Sequence, residues 1–116
     1  MKLETERGVI TISPDVFTSI TGAAATNCYC VKGMAVRSKT DGLVHLLRRE
    51  SMSKGVKVRF REDGAVAIEL HIIVDNGVNL TAVSRSIMSE VRYIVERFTG
   101  VKVSSVDVCV DSMVIG

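Results

Sequence analysis

Six basic side chains crowd into one stretch: Arg48, Arg49, Lys54, Lys57, Arg59 and Arg61. The last three fall at every second position, so on a strand they project from one face, about 7 Å apart. Cations at that spacing can hold an anionic partner: nucleic-acid phosphates, lipid headgroups or an acidic protein. Glu50, Glu62, Asp63 and Glu69 lie among them and partly neutralise the stretch, which suits an edge strand kept soluble by charge equally well. The aromatic platforms on which single-stranded bases stack are missing. So is a G-x-x-G loop that could clamp a nucleic-acid backbone.

Other chemistries find less support. Cys28 and Cys30 are two apart, and no second Cys/His pair has the spacing of a structural zinc site. His45 and His71 read as structural or solvated rather than as ligands. A cysteine nucleophile needs an activating base, and no local pattern supplies one. Serines are plentiful without a G-x-S-x-G elbow. Gly33, Gly42, Gly55, Gly64, Gly77 and Gly100 read as turns and helix ends, and none belongs to a phosphate or dinucleotide loop. The expectation is a protein without catalytic residues, cofactor or metal, hence not an enzyme.

The element that organises the chain is Asn79 to Gly100. Val83, Ile87, Val91, Ile94 and Phe98 recur at helical spacing and predict one apolar stripe packed on a sheet. Asn79 suits the N-cap and Gly100 the C′ position. Before it lies the clearest hairpin. Val56, Val58 and Phe60 alternate on one strand, and Val66, Ile68, Leu70, Ile72 and Val74 on the other. Keeping both apolar faces together sets Phe60 opposite Val66, Val58 opposite Ile68 and Val56 opposite Leu70. Glu62-Asp63-Gly64 is then a three-residue loop with Gly64 left-handed, and Lys57 faces Glu69. After the helix, Val101 and Val103 alternate, as do Val106, Val108 and Val110, with a slip at Ser104-Ser105 that predicts a bulge.

The N-terminal half is less regular. Gly8 to Ile12 predicts a short strand, and Ser13-Pro14-Asp15 a helix start. Val16, Phe17, Ile20, Ala23, Ala24 and Cys28 mark the expected buried side of this helix. No charged residue occurs from Val16 to Val31. An outer helix face normally carries Lys or Glu. Here the other side holds Thr18, Thr21, Gly22, Ala25 and Thr26, a small neutral surface expected to meet a second copy of the chain. The alternative is that another layer of the same chain covers it. Val31 to Ser38 reads as a strand or irregular connector, and Asp41 to Met52 as a short amphipathic helix.

The 116 residues make one domain, 1–116, and the fold class is α+β: a two-layer domain with a mixed sheet and helices packed against it. Hydrophobic residues are 47% of the chain but aromatics only 4%, so the core is aliphatic. The net charge of +2 does not by itself imply a polyanionic partner. No apolar run reaches the ~18 residues of a transmembrane helix. The N-terminal MKLETERG lacks a signal-peptide core. A reduced, cytoplasmic setting is the expectation, in keeping with three cysteines that form no framework.

A set of phrases occurs in one order: GVITIS (8–13), AAATNCY (23–29), VKGMA (31–35), DGL (41–43), KGVKV (54–58), IIVDNGVNL (72–80) and TGVKVSSVDVCV (99–110). Together they resemble the alkaline shock protein family of Gram-positive bacteria, also called envelope stress response proteins, and in particular its short housekeeping branch. Cys30 and Lys32 depart from the family pattern. The resemblance implies a cytoplasmic, non-enzymatic protein. Some members of the family self-associate, gather at the inner membrane through a separate membrane-anchored protein partner and are linked to cell-envelope homeostasis, so a homo-oligomer with a protein partner is the expectation. It supplies no catalytic residue. The alternatives are a nucleic-acid-binding module built on Lys57, Arg59 and Arg61, or a regulator of a metabolic enzyme.

Overall fold

Val66, Ile68, Leu70, Ile72 and Val74 alternate along one strand, and each is at most 1% exposed. A face that apolar must be covered, and the helices cover it. The computed structural model describes residues 1–28, 31–37, 44–46 and 55–114, with side chains described outside 31–37, 44–46 and 114. The elements run β1 (Lys2–Thr5), β2 (Gly8–Thr11), α1 (Pro14–Thr26), β3 (Val31–Arg37), β4 (Val44–Leu46), β5 (Val56–Phe60), β6 (Val66–Asp75), α2 (Leu80–Thr99) and β7 (Val103–Val114). β6 is the middle of the main sheet. β7 runs parallel to it along its whole length. β5 and β3 pair antiparallel with its first and second halves, so they share the opposite edge. β4 extends the sheet beyond β3. The sheet is mixed and the fold is α+β.

The β5–β6 hairpin has the register that its alternation demands: Phe60 faces Val66, Val58 faces Ile68, Val56 faces Leu70 and Lys57 faces Glu69. Gly64 has φ +85°, and a Cβ placed there would meet nothing within 4 Å. The need for glycine is therefore one of backbone conformation and not of space. Gly64→Val destabilises the domain by at least about 1 kcal/mol, because a β-branched residue resists positive φ. Thermal unfolding checks this, and an unchanged midpoint refutes the turn assignment.

α2 begins and ends as its sequence requires. The Asn79 side chain accepts from the Ala82 N–H at 3.0 Å, and Gly100 closes the helix at φ 72°. Its buried line is Ile87, Val91 and Val95, with Val83 and Ile94 half-buried beside it. Phe98, expected on the stripe, is 68% exposed. Two neighbours explain the shift. α2 rests on the sheet through the Ile87–Val91–Val95 row and touches α1 through Ile94, so the stripe divides between two contacts.

α1 is rotated relative to expectation. Phe17, Thr21, Gly22, Ala24 and Ala25 are its buried residues. Phe17 meets Phe60 edge-on, with ring centroids 5.4 Å apart. Val16 and Ala23 face out. Thr21, Gly22 and Ala25, expected to contact a second chain, are inside this one. Small residues let the helix lie close to β3, β5 and α2, which a charge-free run permits from either side. The Thr21 hydroxyl is buried with no partner among the described residues, an uncommon arrangement.

Two further differences lie near the ends of the sheet. Val44–Leu46, expected within a helix, is strand β4, and His45 therefore lies on a strand. Pairing with β3 overrides the local helical spacing; the rest of Asp41–Met52 lies outside the described residues. The strand at Gly8 gains an unexpected partner in β1, with Lys2 opposite Thr11 and Thr5 opposite Gly8. The terminal amino group donates to the Ile12 carbonyl at 2.8 Å, and Met1, Leu3 and Ile12 pack against the core.

Candidate functional site

The helices cover one face of the main sheet; the other carries the titratable side chains. β5 contributes Lys57 and Arg59, β6 contributes Glu69 and His71, and β7 contributes Asp107, Cys109 and Asp111. Glu69 and His71 share a face because they are two apart on one strand. Asp111 joins them through a bulge. β7 pairs Val110 with Ile72 and then Ser112 with Ile73, so Asp111 is the extra residue. A bulge re-aims the side chain it releases, and the Asp111 carboxylate turns back onto His71.

The result is one imidazole held between two carboxylates. His71 Nδ1 lies 2.9 Å from Asp111 Oδ2, and Nε2 lies 2.8 Å from Glu69 Oε2. The side chains of His71 and Glu69 are 26% and 25% exposed, and that of Asp111 only 8%. Burial alone pulls the His71 pKa down, but the hydrogen bonds to Glu69 and Asp111 and their charges outweigh it and hold it above the ordinary value. The hydrogen bond from His71 holds the Glu69 carboxyl below its ordinary range, against the effect of burial, with Lys57 and Arg59 assisting. Lys57 Nζ is 3.9 Å from Glu69 and largely solvated, so it adds little. The imidazolium, with a donor on each nitrogen, is the form that satisfies both contacts.

This arrangement is suited to holding strands together, not to moving protons. A histidine base needs one nitrogen free to face a nucleophile or substrate, and both are engaged here. Cys109, paired across the ladder with His71, is a free thiol. Burial raises its pKa and the charges of Glu69, Asp111 and Asp107 raise it further, against a smaller pull from Lys57. A protonated thiol is a poor nucleophile. Among the described residues no three His, Cys, Asp or Glu side chains are arranged to hold a metal ion.

The outer surface of the helix layer is different in character. Ile20, Ala23, Ala24, Asn27, Glu90, Ile94 and Phe98 line a groove of about 340 Å³ between α1 and α2. Phe98 and Tyr93 are 68% and 58% exposed. The Arg97 guanidinium stands 5.9 Å from the Phe98 ring and 6.0 Å from the Tyr93 ring, within cation–π range.

A model of the alkaline shock protein 23 family, described by its cell envelope-related function, matches residues 2–115. The chain belongs to this family. It is 36% identical to YloU of Bacillus subtilis (strain 168) over 114 residues, 97% of this chain and 94% of that protein. It is 32% identical to Spy1614 of Streptococcus pyogenes serotype M6 over 114 residues, 97% and 93% of the two chains. YqhY of Bacillus subtilis (strain 168) is 28% identical over 105 residues, 90% of this chain and 76% of that protein. No solved structure matches the chain.

In this alkaline shock family domain the basic residues singled out by spacing divide into two groups. Lys57 and Arg59 are exposed on the open face of β5, and Arg61 is exposed just beyond it. Arg48, Arg49 and Lys54 lie outside the described residues. The acids of β6 and β7 share the face of Lys57 and Arg59, which is close to neutral once His71 is protonated. Of the expected contact set on α1, Thr18 and Thr26 are half-buried and only the other three are enclosed. The His71 cluster was not expected. Alternation alone puts Glu69 and His71 on one face, and Asp107 and Cys109 on another, but nothing local brings β7 beside β6.

Proposed function

We propose that this protein is a non-enzymatic adaptor of cell-envelope homeostasis, acting through self-association and a protein partner at the cytoplasmic face of the membrane. Membership of an envelope-related family sets the cellular context. The observation that carries the molecular reading is the α1–α2 groove beside exposed Phe98. Large exposed apolar side chains around a concavity mark contact surfaces in folded domains. The engaged nitrogens of His71 and the protonated Cys109 thiol weigh against catalysis. Among the described residues no helix is long and apolar enough to cross a membrane, so a membrane-anchored partner would supply the attachment. Sedimentation velocity tests the self-association: the wild type runs heavier than a monomer at high micromolar concentration, and Phe98→Glu runs as a folded monomer. A monomeric wild type refutes it.

The second reading is nucleic-acid binding through Lys57, Arg59 and Arg61, favoured by their exposure along β5 and just beyond its end. Such binding falls steeply with salt, because each phosphate contact releases counterions. The charge balance of the sheet face leads us to expect little binding at physiological salt. A sub-micromolar affinity there, lost when all three residues are replaced by Gln, would reverse the order of the two readings.

A further inference from the structure

Among the described residues β7 is an edge of the main sheet. One side is paired with β6 from Val103 to Val114, and among the described residues no strand pairs with the other. Bulges at Ser104 and Asp111 bracket a regular run, Ser105–Val110, along which alternate N–H and C=O groups point away from β6.

Both flanks of that run are charged, with opposite sign. On the open face, one row across the sheet reads Lys57, Glu69, Asp107. Lys57 answers Glu69, but Asp107 sits beside Glu69 as a like charge. Asp107 is exposed, and no ion pair forms to it among the described residues. Among the described residues the row ends on this carboxylate, with no cation paired to it. On the helix face, Val106 with Arg85, Met88, Ser89 and Arg92 of α2 lines a groove of about 380 Å³. α2 packs on β7, and its other flank, through Glu90 and Ile94, meets α1, which lies over β3 and β5, so this groove lies over the outer side of β7. It has an apolar floor and two guanidinium walls.

We propose that the outer edge of β7 receives an extended segment of another polypeptide, one whose side chains alternate between cationic on the open face and aliphatic or anionic on the helix face. Strand addition would satisfy the free backbone groups and place alternate side chains on the two flanks. A cation next to Asp107 completes the row, and an aliphatic or acidic side chain enters the groove beside Met88 and the two arginines. A second copy is the wrong occupant. Antiparallel pairing of β7 with its mate brings Asp107 and Asp111 toward their counterparts on one face, and Arg85 and Arg92 toward theirs on the other. The proposal concerns a different surface from the α1–α2 groove and stands whether or not the helix layer self-associates.

The test titrates the isotope-labelled full chain, followed by amide NMR, with an acetylated and amidated Lys-Val-Lys-Glu-Lys-Val-Lys peptide. Its palindromic sequence presents the same faces in either strand direction. The comparison is the charge-reversed Glu-Val-Glu-Lys-Glu-Val-Glu peptide at the same salt. The first peptide produces saturable shifts in Ser105–Val110 and Met88, and binds about tenfold tighter than its reversed twin, the sum of a few opposite-charge cross-strand pairs. Asp107→Lys, an exposed change that leaves the fold intact, removes that preference. No saturable shift at millimolar peptide overturns the proposal, as do equal affinities for the two peptides or shifts centred on Lys57 and Arg59. Concentration-dependent shifts in β7 without peptide assign the edge to a second copy and overturn it too.

Discussion

Ala25→Glu unfolds the domain. Ala25 is 0% exposed, between Thr21 and Cys28 on the face of α1 that lies against the sheet and α2. A glutamate there must bury a carboxylate among apolar neighbours of the core or push the helix off its seat. Either costs at least about 4 kcal/mol, comparable with the ~5–15 kcal/mol that holds a whole domain together. Far-UV circular dichroism and thermal unfolding read the result. Ser19→Glu, one residue short of two turns away on the exposed side of the same helix, is the control and shifts stability by less than about 0.5 kcal/mol. A folded Ala25→Glu protein of smaller hydrodynamic size would instead return this face to an intermolecular contact.

His71→Ala removes about 2 kcal/mol near neutral pH and with it most of the pH dependence above neutrality. The substitution leaves Glu69 and Asp111 facing one another without the cation between them, and Asp111 is only 8% exposed. The sign follows from the direction of each shift. The His71 pKa is raised in the folded chain, so its contribution is full below the ordinary His value of about 6.5 and is lost as pH rises through the folded value. The Glu69 pKa is lowered, so its contribution is present above its ordinary value and is lost as pH falls through the folded one. The wild type is therefore most stable between those two titrations and weakens on the alkaline side. Urea unfolding at a series of pH values checks this. An alkaline limb equally steep in His71→Ala would show that the cluster does not clasp the strands.

Much of the local structure is legible in the chain. The caps of α2 need only Asn79 and Gly100, whose side chain and backbone freedom act within one helical turn. The β5–β6 register needs only the rule that two apolar faces stay together, and one residue of slip would turn Phe60 or Val66 to solvent. The Ser104 bulge shows as a broken alternation. Each of these is fixed by groups close in sequence with strong polar–apolar contrast. The rotation of α1 is not, because a run of Thr, Gly and Ala without charge looks alike from every side; Phe17 packing on Phe60 sets the phase. Phe98 likewise continues a stripe in sequence, yet α1 and the sheet divide that stripe and leave it outside.

The functional surfaces follow the same division. Sequence by itself determined the alternating rows, placing Lys57 and Arg59 on one strand face and Glu69 with His71 on another, because strand geometry fixes which neighbours share a side. Only the tertiary structure decided that β7 lies parallel to β6 with Asp111 released by a bulge. That single pairing closes the carboxylate–imidazole–carboxylate cluster, since its partners are forty residues apart and meet only when α2 returns the chain to the sheet.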